Sequence, residues 1–143
     1  MNWKQEAVDH LQKYDAMVQS LKSIPSELNR LENVARSMGA VRTDLPRVKK
    51  SLTPGNDRLI DNFVQQQELG RSYENARLWV HNTDNALSVL TDEEKLILLR
   101  MYIRPERGVV AELCETLGVE QSSIYRKRDA ALYRFTLALY GAA

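Results

Sequence analysis

Cysteine, histidine and net charge are all scarce in this chain, and each scarcity removes a class of function. One cysteine, Cys114, leaves no partner for an intrachain disulfide and reads as a small core residue. The only two histidines, His10 and His81, lie far apart in sequence, so no spaced set of metal ligands exists and neither a metal nor another cofactor is expected. A net charge of +1 over 143 residues excludes an indiscriminately basic nucleic-acid binder and confines any such contact to a local patch. No apolar run approaches the ~20 residues that span a bilayer. The opening MNWKQEAVDH also lacks the basic region and apolar stretch of a signal peptide, so the expected location is the cytoplasm. There is no phosphate-binding glycine loop, no nucleophile elbow and no metal motif, and catalysis is not expected.

The richest pattern lies from Leu90 to Phe135. Thr91 followed by Glu94 forms a capping box, in which hydroxyl and carboxylate satisfy amides that helix geometry leaves orphaned. It opens an apolar helix through Leu96, Ile97, Leu98, Leu99 and Met101 that runs to about Tyr102. Arg104 to Gly108, with Pro105, reads as a turn. A short helix from about Val109 to Leu117 follows, then Gly118 where the chain must turn with positive φ, then a long helix from Glu120 to about Leu139. Leu113, Cys114, Leu117, Val119 and Ile124 have the spacing of a helix-turn-helix, with hydrophobes locking the second helix.

On that long helix Ile124, Ala131, Leu132 and Phe135 recur at helical spacing and face inward, which leaves Gln121, Ser122, Tyr125, Arg126 and Asp129 opposite. Arginine can bridge guanine O6 and N7, and glutamine can pair with adenine, so Arg126 and Gln121 are the expected base readers. Ser122, Ser123, Lys127, Arg128 and Arg134 suit phosphate, for which a donor or a positive charge suffices. Tyr125 suits a thymine methyl or a phosphate. Within 121–143 the four bases Arg126, Lys127, Arg128 and Arg134 face only Asp129, whereas 90–120 is net acidic. Such polarity orients a protein on DNA.

The segment LTDEEKLILLRMY resembles the leading helix of region four of bacterial sigma factors, and LCETLGVEQSSIYRKRDAAL resembles its helix-turn-helix. The YRKRDAAL run with the trailing Phe135 to Gly141 is more similar still to phage and prophage late-gene regulators of the ArpU and RinA type. The resemblance covers about the last third of the chain. It implies double-stranded DNA as partner, and RNA polymerase as a further one. The chain departs from the sigma pattern at Lys127, where that pattern places a buried hydrophobe; the lysine stem can pack while its ammonium reaches outward. A short, proline-containing link between Tyr102 and Val109 is the second departure.

Upstream, Trp3, Ala7, His10, Tyr14, Met17, Leu21, Ile24, Leu28, Leu31, Ala35 and Met38 alternate in steps of four and three, a heptad seam. The helix that carries it spans on the order of 54 Å. The seam's phase is unshifted across Pro25, which predicts a kinked continuous helix rather than two. Gly39, Pro46, Pro54 and Gly55 mark a loop over about 39–55, and its Arg42, Arg47, Lys49 and Lys50 read as a solvated basic segment. From Leu59 to Leu90 a second helical stripe includes Phe63, Leu69, Tyr73, Ala76, Val80, Thr83 and Leu87. Trp3 and Trp79 read as packing anchors.

The expected fold is therefore all-α: a long, coiled-coil-like helical hairpin over 1–89, followed by a helix-turn-helix domain resembling sigma region four over 90–143. Two long helices with little mass around them imply self-association, with a dimer favoured. The expected function is sequence-specific transcription regulation. The alternatives are a DNA-packaging oligomer of the terminase small-subunit kind and a protein-interaction module that no longer reads DNA.

Overall fold

The computed structural model describes residues 2–44 and 54–141, with side chains described outside 39–44 and 54–56. Those residues are all-α. In chain order they form α1 (Trp3–Gln12), α2 (Tyr14–Asp44), α3 (Pro54–Ser88), α4 (Asp92–Leu98), a π-helical turn (Leu99–Ile103), α5 (Val109–Leu117) and α6 (Gln121–Tyr140). No described helix is long and apolar enough to cross a membrane.

The first long helix is interrupted at Lys13 and continuous at Pro25, which sits inside α2. Proline removes the amide that would bond Leu21. Around it the Ser23 and Ser26 hydroxyls donate to the carbonyls of Gln19 and Lys22. Helix extends into the expected loop from both sides. Helix α2 continues past Gly39 to Asp44, and α3 begins at Pro54. Proline suits that first position because the amide it lacks has no partner in the first turn of a helix. The rest of the expected loop, with Arg47, Lys49 and Lys50, lies outside the described residues.

The chain divides into two compact units, one of residues 1–18 with 78–143 and one of residues 19–77. This division does not coincide with the expected boundary at 89/90. The second unit consists of the remaining parts of α2 and α3. In it Leu31 and Ala76 are buried, and the buried Asn62 amide donates to the Leu31 carbonyl at 2.9 Å while its oxygen accepts from Gln66 at 2.6 Å. A buried amide with both ends satisfied fixes register where apolar packing alone would slide. Ile60, Phe63 and Val64 are exposed on α3.

The first unit has two apolar clusters. Ala7, Leu11, Ala86, Leu90, Leu98, Ile103, Ala131, Leu132 and Phe135 form the larger, so α1, the end of α3, α4 and α6 share one core. Ile97, Val109, Leu113 and Ile124 form the smaller, joined by Met101, Cys114, Leu117 and Val119, and this cluster holds α5. The π-helical turn lets one strip of chain serve both. Its extra residue, closed by Arg104 N–H to the Leu99 carbonyl at 2.9 Å, sends Leu99, Tyr102 and Ile103 to the first cluster and Met101 to the second.

A polar node lies beside the larger cluster. His10 stacks on Trp79 with ring centroids 4.1 Å apart, and its Nε2 is 2.7 Å from the Thr83 hydroxyl. Thr83 donates to the Trp79 carbonyl, so its oxygen accepts from Nε2–H, and Nδ1 is left to accept from the Tyr140 hydroxyl at 3.5 Å. Burial, reinforced by nearby Lys13, pushes the imidazole down from 6.5 to about 4. Tyr14 donates to Asp84 at 2.5 Å, and burial together with that carboxylate pushes its hydroxyl up to about 12.

Candidate nucleic-acid interface

Local chemistry sets where α4, α5 and α6 begin and end. Thr91 caps α4 in a complete capping box: its hydroxyl accepts from Glu94 N–H at 3.2 Å, and the Glu94 carboxylate accepts from Thr91 N–H at 3.0 Å. Gly108 opens α5 at φ +72° and Gly118 closes it at φ +66°, both in the left-handed region that glycine enters without a Cβ penalty. Glu120 precedes α6, its carbonyl accepting from Ser123 and Ile124 N–H. Ile124 is fully buried in the smaller cluster, and Ala131, Leu132 and Phe135 in the larger, so α6 shows the face expected of it inward.

The outward face differs in detail from the expected set. Gln121, Ser122, Arg126, Ala130, Tyr133 and Arg134 are exposed, whereas Ser123, Tyr125, Lys127, Arg128 and Asp129 are half-buried. Ser123, Arg126, Lys127 and Ala130 line one open depression. Asp129 and Tyr133 lie where α1 packs on α6: Lys4 reaches Asp129 at 3.5 Å, and the Trp3 ring meets Tyr133 edge-on at 5.8 Å. The heptad spacing alone assigns α1 to the seam. Val8 and Leu11, off that seam yet packed in or against the larger cluster, were the signal that the helix has a second apolar side.

Each expected phosphate-binding cation on α6 has a carboxylate inside the protein. Lys127 Nζ is 2.7 Å from Glu93, Arg128 is 3.0 Å from Asp129 and 4.9 Å above the Tyr125 ring, and Arg134 Nη1 is 2.6 Å from Glu94. Arg134 also donates from Nη2 to the Val89 carbonyl at 2.9 Å, so its fork fastens α6 both to the first turn of α4 and to the link before it. Beneath Arg128, burial pushes the Tyr102 hydroxyl upward, an effect the guanidinium opposes.

Among the described residues Arg126 is the one α6 cation with no carboxylate partner. Its Nη2 donates to the Ser123 hydroxyl at 3.3 Å, and Gln121 donates to the Tyr125 hydroxyl at 3.2 Å. Both contacts are exposed and end on a hydroxyl rather than a carboxylate. The small side chains of Ser122, Ser123 and Ala130 beside Arg126 permit close approach of a second surface. No cluster of three or more potential metal ligands occurs among the described residues. Comparison of the chain with protein-family models, with curated proteins and with solved structures gives no match.

Proposed function

We propose that this protein is a sequence-specific, double-stranded-DNA-binding transcription regulator without enzymatic activity. In this reading α5, the Gly118 turn and α6 form a helix-turn-helix of the sigma region four kind, with α4 as its supporting helix and the N-terminal half of α6 in the major groove. One observation carries it: Arg126 stands exposed and without a carboxylate on a face of serine and alanine, while the other α6 cations are held by acids. A surface that bound DNA by charge alone would leave its cations free. This one offers a bidentate donor flanked by Gln121 and Ser122, which favours base reading over non-specific attraction.

The long helices α2 and α3 supply the self-association that sets half-site spacing, with a dimer as the working state and the exposed Ile60, Phe63 and Val64 as apolar surface available to it. A prophage setting and a contact with RNA polymerase, which the resemblance of the C-terminal third implies, and a cytoplasmic location, expected from the sequence, belong to the same proposal. Selection of bound sequences from a random duplex pool tests it. Enrichment of a defined site, paired about a two-fold axis, is expected. Retention of duplexes without sequence enrichment would leave the reading without its central content.

A further inference from the structure

Glu93 and Lys127 form an ion pair on the rim of the surface that α6 presents. The distance is 2.7 Å, and the side chains are 39% and 38% exposed. The lysine borders two neighbouring depressions, one lined also by Ser123, Arg126 and Ala130, the other by Thr91, Glu93, Glu94 and Ala130. Its ammonium is thus beside Arg126 yet turned to the acid.

The frame behind this pair is stiff. Glu93 belongs to the first turn of α4, which the Thr91–Glu94 capping box closes, and Arg134 ties Glu94 of that same turn to α6. Carboxylate and ammonium are therefore brought together by two helices already fixed relative to each other, so the pair forms without ordering either helix. A phosphate must compete with a carboxylate that is always present at high effective concentration. Given that α6 faces duplex DNA, as proposed above, we infer that Glu93 withholds Lys127 from the phosphate backbone. It is a specificity-determining residue: by silencing the cation next to Arg126 in the sequence, it lowers affinity for any duplex without touching base readout.

Binding of a random-sequence duplex across a salt series tests this, with wild type, Glu93→Gln, Lys127→Met and the double variant, each shown to be folded by circular dichroism. Glu93→Gln should steepen the dependence of log K on log salt by about 0.9 per bound subunit, the increment of one extra phosphate contact. At ~0.1 M salt it should raise affinity roughly fivefold to tenfold. Lys127→Met alone should leave the slope unchanged, and in the Glu93→Gln background it should abolish the gain. A Lys127→Met variant that flattens the wild-type slope by about 0.9 would show the lysine already on phosphate and overturn the inference. If wild type binds and Glu93→Gln has the same slope, the inference alone is overturned. If folded wild type binds no duplex even at low salt, the DNA reading falls and the inference falls with it.

Discussion

Glu94→Ala should be among the most damaging changes of a charged residue in the unit of residues 1–18 and 78–143. The side chain is only 11% exposed, accepts from Thr91 N–H at 3.0 Å and receives Arg134 at 2.6 Å. Losing its half of the capping box removes about 0.5–1 kcal/mol, in the lower part of the range for helix caps. Losing a charge-assisted hydrogen bond removes about 1.5–3 kcal/mol. The lower end applies here because Arg134 is 47% exposed and keeps its bond to the Val89 carbonyl. The sum is about 2–3 kcal/mol, which corresponds to a fall in Tm of roughly 6–12 °C for a chain of this size. Urea unfolding followed by circular dichroism measures it. Arg134→Met, which keeps the cap, should lose about 1–2 kcal/mol, and the double variant should show coupling of about 1 kcal/mol. A loss below about 0.5 kcal/mol for Glu94→Ala, or coupling near zero, would refute the idea that this pair fastens α6 to α4.

Three further outcomes follow from the same geometry. Gly118→Ala should destabilise by about 1–2 kcal/mol in urea titrations, purely from backbone strain, since a Cβ there meets nothing within 4 Å; an effect near zero would mean that the turn does not depend on φ +66°. Leu11→Ala should lose about 2–5 kcal/mol, because the side chain is fully buried among α1, α3, α4 and α6; a loss under about 1 kcal/mol would show that α1 is not integral to that core. The third concerns acid. His10 stays neutral in the folded chain down to about 4, whereas the unfolded chain takes up its proton near 6.5. Stability from this group is therefore complete above pH 6.5 and is lost as pH falls towards 4. Full effect would be about 3 kcal/mol, and solvent screening at this half-buried site reduces it to about 1–2 kcal/mol. The difference in unfolding free energy between wild type and His10→Gln should shrink over that window; a pH-independent difference would contradict the assignment.

Much of the segment 90–143 was legible because its signals are local. Thr91 with Glu94 marks a helix start within four residues, Gly118 marks a turn by itself, and Ile124, Ala131, Leu132 and Phe135 mark one side of a helix by spacing alone. What escaped depends on distant partners. The π-helical turn at Leu99–Ile103 has no composition of its own, and arises where one strip of chain must face two clusters. The breakers at Gly39, Pro54 and Gly55 suggested a loop, yet α2 passes the first and α3 begins with the other two, since helix ends tolerate proline and a long helix tolerates one glycine.

The candidate interface shows the same division. Composition gives α6 four cations and one acid, but not that Glu93, Glu94 and Asp129 take three of them. Pairs between residues 34 to 40 positions apart leave no periodic trace, so Lys127 and Arg134 read as free charges. Docking of α1 on α6 similarly sets Lys4 on Asp129 and Trp3 on Tyr133, and leaves Arg126 exposed.

Arg126 is accordingly where the account is most exposed to test. Once a preferred site has been selected, binding of wild type and Arg126→Ala to that site and to a scrambled duplex, at one fixed salt concentration, should separate readout from attraction. The expected loss is about 1–3 kcal/mol on the preferred site with relaxed preference at one base pair, and much less on the scrambled duplex. Equal losses on both would contradict the claim that this side chain reads a base.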